Sequence, residues 1–182
     1  MDLKDKVAVV TGGASGLGEA TVRAYAAKGA KVAIFDLNEE RAKTIIAEVG
    51  SDKVAFFKVN VSDEESVKAA IDGVMAQFGA IHICNNYAGI GNAAKTLSKN
   101  GPFPLDSYKM VIEVNLIGTF NVLRLTAEKM SANEPGEDGE RGVIVNTASV
   151  AAVDGQVGQA AYSASKGGVV GMTLPIARDL AP

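Results

Sequence analysis

Tyr162 and Lys166 stand four residues apart in a segment of helical period, so a phenol and an ammonium project from one helix face. A free phenol titrates near about 10, too high for a base at neutral pH, and a neighbouring ammonium favours the phenolate. Such a pair can exchange the proton of a substrate hydroxyl. Ser149, just after a short apolar run, is placed to hold the carbonyl or alcohol oxygen by a hydrogen bond. Hydride transfer is beyond any side chain and would belong to a cofactor. Taken alone, a Tyr-x-x-x-Lys pair is more often plain helix surface, so its weight depends on what else the chain supplies.

A dinucleotide site is supplied near the N-terminus. Thr11-Gly12-Gly13-Ala14-Ser15-Gly16-Leu17-Gly18 follows a strand-like run directly and opens a helical segment. A turn passing close to a pyrophosphate excludes side chains, which selects Gly12, Gly16 and Gly18. The helix start around Ser15 and Leu17 offers free N–H groups and the positive end of its dipole. Asp36 closes the second apolar run, 20 residues beyond Gly16, where a carboxylate accepts both hydroxyls of an adenosine ribose. A 2′-phosphate would meet that negative charge with no Lys or Arg at Ala14, Ser15 or Leu37 to offset it. NAD is therefore expected over NADP.

These residues need a scaffold, and the hydrophobic pattern gives one. Short apolar runs (Val7–Thr11, Lys31–Asp36, Val54–Val59, Ile81–Cys84, Val143–Thr147) alternate with segments of helical period (Gly16–Lys28, Asn38–Val49, Ser62–Phe78, Asp106–Met130, Tyr162–Leu180, the last stopping at Pro182). Ser62-Asp63-Glu64-Glu65 reads as a capping box. No polar position interrupts Val7 to Val10, as in a parallel strand covered on both faces. The expected fold class is α/β, a doubly wound parallel sheet in a single domain over residues 1–182, with polar loops at Asn92–Pro104 and Ser131–Gly142.

Composition excludes other classes. The 182 residues carry 18 Lys+Arg against 21 Asp+Glu, a formal charge of −3, and no basic run able to hold a polyphosphate backbone, so nucleic acid is not an expected partner. No stretch is read as approaching the roughly 20 apolar residues a bilayer requires, and no membrane partner is expected. One cysteine, Cys84, cannot form an intramolecular disulfide, and Met-Asp-Leu-Lys-Asp-Lys contains no apolar signal region, which together give a cytoplasmic expectation. Cys84 reads as a small core residue, and the single histidine, His82, as a strand-end side chain bonded to nearby backbone.

Taken together, the glycine motif, Asn86-Tyr87-Ala88-Gly89, Asn115, Ser149, Tyr162 and Lys166, all in order, resemble the short-chain dehydrogenase/reductase family. The resemblance implies a Rossmann fold and a Ser149-Tyr162-Lys166 triad, with Asn115 relaying protons through water to Lys166, which also binds the nicotinamide ribose. It further implies cofactor contacts from Asn60 and Val61 at the adenine and from Asn86, Ala88 and Gly89. Asn133-Glu-Pro135, Arg141–Ala152 and Gly155–Pro182 are similar to the type-2 3-hydroxyacyl-CoA dehydrogenase subgroup, which implies oxidation of an L-3-hydroxyacyl-CoA to the 3-oxoacyl-CoA with NAD. A hydroxysteroid dehydrogenase and a 3-oxoacyl-carrier-protein reductase are the alternatives within the family. A non-catalytic NAD-binding fragment is the alternative outside it.

Four positions depart from the family pattern. Asn60 stands where Asp is usual, its side-chain carbonyl still able to accept from the adenine amino group; Tyr87 replaces the second Asn of Asn-Asn-Ala-Gly; and Asn85 and His82 replace an apolar residue and Asp. Relatives continue past the last helix with two further strands and a substrate-covering helix pair, so the sheet is expected to lack its C-terminal strands. The resemblance also implies a homo-oligomer, a tetramer in full-length relatives and a dimer here through Asp106–Met130 and Tyr162–Leu180.

Overall fold

A computed structural model of the chain describes residues 1–181, so the expected stop at Pro182 lies outside the described residues. β1 (Val7–Thr11) is central. β2 (Lys31–Asp36) and β3 (Val54–Lys58) lie on one side of it, and β4 (Ile83–Asn86) and β7 (Val143–Asn146) on the other. All four pairings are parallel, in the order β3-β2-β1-β4-β7. The order reverses between β1 and β4, and the crevice beyond the strands' carboxyl ends at such a reversal is where these sheets bind ligands.

Both faces of β1 and β2 are buried, which is why neither shows a polar face. Ala8, Val10, Val32 and Ile34 pack with Val22 and Ala26 of α1 (Gly16–Ala27) and Ala42 and Ile45 of α2 (Glu39–Val49). Val7, Val9, Ala33 and Phe35 face Val67, Ile71 and Val74 of α3 (Glu64–Phe78) and Val122 of a later helix. Period-2 alternation along the strands thus feeds two separate cores, one on each side of the sheet.

Several boundaries differ from expectation. Strand four starts at Ile83, not Ile81, because its register on β1 pairs Ala8 to Thr11 with Ile83 to Asn86, carrying two asparagines into the ladder. α3 is capped by Asp63, whose carboxylate accepts the Ser66 N–H at 2.7 Å; Ser62 lies outside the helix and the capping box does not form. The loop after β4 contains a small antiparallel hairpin, β5 (Leu97–Ser98) with β6 (Gly101–Pro102). The long helix is α4 (Leu105–Ile112) continued by a single π-helical stretch (Glu113–Ile117) into α5 (Gly118–Ser131). The last helix, α6, runs Ala160–Asp179.

Contrary to the sequence expectation, one helix, Leu105–Ser131, is long and apolar enough by length and composition to cross a bilayer. Its buried polar side chains give it a different role. Asn121 donates to Val61 O, Asn115 bonds Ile90 and Ser165, and Thr119 and Thr126 are buried. These bonds and the packing against α3 and α6 make it a core helix of the domain.

His82 and Cys84 have the roles expected of them. The His82 Nδ1 accepts the Val7 N–H at 3.1 Å, and Cys84 is fully buried, its thiol pushed up to about 11 by burial. Burial, with the Lys6 charge nearby, holds His82 below the ordinary histidine range. A folded state that keeps this ring neutral has its full contribution above about 6.5, the unfolded value, and loses it as the pH falls through the folded value. Denaturation midpoints are therefore expected to drop more steeply as the pH falls below about 6.5 in the parent than in His82→Gln, which cannot titrate. Equal slopes in the two proteins would remove His82 from the acid response.

Candidate active site

The glycine turn lies directly on top of the chain leaving β4. A Cβ on Gly12 would come within 3.0 Å of Ala88 N, and one on Gly18 within 2.1 Å of Gly12 O, so neither position tolerates a side chain. Gly16 is different: its φ of +52° is in the left-handed region, and a Cβ there would meet nothing within 4 Å. Its bare backbone opens onto a cleft of about 420 Å³ lined by Gly12, Ser15, Gly16, Leu17, Gly18, Asp36 and Leu37 on one side and by Asn60, Val61, Tyr87, Ala88, Gly89, Ile90, Val114 and Thr147 on the other. Ser15 occupies the N-cap of α1 but makes no capping bond, leaving first-turn N–H groups and its own hydroxyl facing outward.

Asp36 sits at the rim with its carboxylate fixed. Oδ2 accepts the Ala14 N–H at 3.0 Å and Oδ1 the Asn38 N–H at 2.9 Å, and each oxygen retains a lone pair. Asn60 fits its expected contact less well. Its Oδ1 already accepts from Ser62 N at 3.2 Å and Ser62 Oγ at 2.8 Å, so the side-chain carbonyl held out for the adenine amino group has both lone pairs engaged. Val61 is buried, with its carbonyl held by Asn121 and its side chain against Gly118. Asn86 does not line the cleft: its Nδ2 donates to Asn146 Oδ1 at 2.9 Å across the β4–β7 pair.

Beyond Thr147, the chain turns through Ser149, the half-buried N-cap of a 3-10 turn (Val150–Ala152) against which α6 packs. Ser149 Oγ accepts the Ala151 N–H at 3.2 Å, which orients the hydroxyl and leaves its proton to donate. On α6, Lys166 is buried, with Nζ donating to Thr147 O at 2.7 Å and lying 5.8 Å from the centre of the Tyr162 ring. Burial pulls Lys166 below the ordinary lysine range. The structure thus joins Lys166 to Tyr162 and, through Thr147, to the cofactor cleft.

Asn115 lies in the π-helical stretch and is fully buried. Its amide exchanges two bonds with Ile90, accepting from N at 2.8 Å and donating to O at 2.9 Å, and donates to Ser165 Oγ at 3.1 Å. No hydrogen bond among the described residues joins that side chain to Lys166. Sequence reasoning did not assign Thr11, Thr147 or Ser165. Thr11 Oγ1 accepts from both Tyr87 N, at 3.1 Å, and Ala88 N, at 3.0 Å, a role signalled only by a hydroxyl residue ending β1 before the first glycine.

A nicotinamide dinucleotide fits these residues: an uncapped helix start, a glycine whose missing Cβ leaves the cleft open, and a carboxylate held at its end. A family model described as short chain dehydrogenase matches residues 6–182. The chain belongs to the short-chain dehydrogenase family. It is 53% identical over 180 residues to a Drosophila melanogaster protein named 3-hydroxyacyl-CoA dehydrogenase type-2, covering 98% of this chain and 70% of that one. The human protein of the same name is 50% identical over 182 residues, covering 99% and 69%. A crystal structure of 3-hydroxyacyl-CoA dehydrogenase type-2 from Mycobacterium avium superposes with a TM-score of 0.92 at 42% identity, covering all of this chain and 72% of that one. As a short-chain dehydrogenase the chain is an oxidoreductase acting on CH–OH groups of a small molecule with a nicotinamide cofactor.

Proposed function

We propose that the chain oxidises the hydroxyl of an L-3-hydroxyacyl-CoA to the 3-oxoacyl-CoA with NAD, using Ser149, Tyr162 and Lys166. The carrying observation is Lys166, a buried ammonium tethered to Thr147 O one helical turn from Tyr162. A buried lysine with a single backbone acceptor is costly to a fold and is explained by chemistry at its neighbour. The substrate class is supported by the names carried by relatives at 50–53% identity, and NAD by the fixed carboxylate of Asp36.

In this reading Gly12, Ser15, Gly16, Leu17 and Gly18 hold the pyrophosphate, Asp36 the adenosine ribose, Val61 the adenine end, and Ala88 and Gly89 the far wall. The bound nicotinamide supplies the hydride acceptor. Ser149 donates to the substrate oxygen and fixes it, and Tyr162 takes the hydroxyl proton at its phenol oxygen. The Lys166 ammonium, 5.8 Å from the centre of the Tyr162 ring, is the counter-charge beside the phenol oxygen during that transfer. Asn115 bonds both the Ile90 loop and α6, beside the water path to Lys166 that the family resemblance implies for it.

The test is NADH formation from NAD and 3-hydroxybutyryl-CoA, run beside a hydroxysteroid and beside 3-oxoacyl carrier protein with NADPH. Turnover of the acyl-CoA with at least tenfold higher kcat/KM than the others is the expected result. Turnover confined to steroid or carrier-protein substrate would replace the substrate class, and tight NADH binding without turnover of any would return the binding-fragment reading.

A further inference from the structure

Tyr87 stands where the family pattern has asparagine, and nothing in the proposed reaction uses its hydroxyl. That hydroxyl lies 3.0 Å from Thr21 Oγ1 on α1 and 3.4 Å from Asn85 Nδ2 on β4, and the Tyr25 hydroxyl lies 3.3 Å from Asn85 Oδ1. Thr21 Oγ1 is also 2.9 Å from Leu17 O, one turn back. Proton counting fixes the direction. A threonine hydroxyl has one proton, and its regular helical acceptor is the carbonyl four residues earlier. With that proton on Leu17 O, the Tyr87 O–H donates to Thr21 Oγ1, Asn85 N–H donates to the Tyr87 oxygen, and Tyr25 O–H donates to Asn85 Oδ1. Each of the three hydroxyl protons is used once, with one Asn85 N–H, along Tyr25, Asn85, Tyr87, Thr21 and the Leu17 carbonyl.

The chain ends on Leu17, a residue of the phosphate-binding turn that lines the cleft. Its middle member, Tyr87, is also anchored through its backbone N–H to Thr11 Oγ1, and its ring packs on the core beneath α1. The strand-four loop is therefore fastened to the glycine turn at two points, by Thr11 below and by the Tyr87 hydroxyl above. We infer that Tyr87 is a positioning residue for the cofactor, holding the first turn of α1 against the β4 loop through Thr21. This rests on dinucleotide binding in the cleft and is independent of whether Asp36 selects NAD.

Thr21 does not line the cleft, which makes it the informative partner. NADH affinity, read by fluorescence titration, is expected to weaken about five-fold in Tyr87→Phe and about five-fold in Thr21→Val, the scale of one hydrogen bond. Because both break the same chain, Thr21→Val/Tyr87→Phe should be no more than two-fold weaker than either single variant. KM for the dinucleotide should rise in Thr21→Val while kcat at saturation stays within two-fold. Thr21→Ser, which restores a hydroxyl, should bind NADH like the parent. Unchanged NADH affinity in either single variant overturns the inference, as does a double variant whose losses multiply. So does a fall in melting temperature with no change in affinity, which would make the chain a purely structural brace. Affinities are to be measured with NADPH as well; a protein that prefers NADPH yet shows the same pattern of losses rejects the Asp36 reading and leaves this one standing.

Discussion

Tyr162→Phe is expected to lower kcat about 10³-fold, within the range general acid–base groups supply, and to leave NADH affinity within about three-fold. The phenylalanine keeps the ring that packs near Lys166 and removes the phenol oxygen proposed to take the substrate proton. The split between kcat and affinity is the diagnostic, since a general disturbance of α6 would shift Thr147 through Lys166 and weaken the cofactor too. Initial rates at saturating NAD, set beside NADH titration, measure both. Turnover above about a tenth of the parent would reject Tyr162 as the acid–base group.

The second large effect is expected at the other end of the cleft. Asp36→Asn removes the charge but keeps an acceptor beside the Ala14 and Asn38 amides that the carboxylate now bridges. Two like charges about 4 Å apart cost about 4 kcal/mol at an effective dielectric near 20, and less at an open rim. The ratio of kcat/KM for NAD over NADP is therefore expected to fall about 100-fold, partly through better use of NADP and partly through a weaker ribose contact. Asp36→Ala should lose the same selectivity and, in addition, loosen the Ala14 turn, raising KM for both dinucleotides. An unchanged ratio in Asp36→Asn would show that Asp36 does not read the ribose.

How much of this was legible in the sequence depends on which force set each feature. The parallel sheet was readable because β1 and β2 are buried on both faces, and burial writes itself directly into residue type. The glycine turn was readable because van der Waals crowding at Gly12 and Gly18 admits one residue only. The start of β4 was not, because its register on β1 decides the ladder and places two asparagines where an apolar run had seemed to end. The cap of α3 was misplaced by one residue because Ser62 and Asp63 compete for the role and Asn60 captures the serine. The π-helical stretch left no local trace, and the side chain it carries inward, Asn115, bonds residues distant in the chain. The family motifs located Asn115 without showing that its side chain bonds Ile90 and Ser165.

That amide has a mechanical consequence. Both of its N–H donors and one lone pair are committed, so the loop after β4 and the helix carrying Tyr162 and Lys166 are bonded to one and the same side chain. Separating the loop after β4 from α6 would break those bonds and leave a buried amide unpartnered. The glycine turn hangs on the same loop through Thr11 and the Tyr87 hydroxyl, so both walls of the cleft and the helix carrying the pair share one chain of anchors.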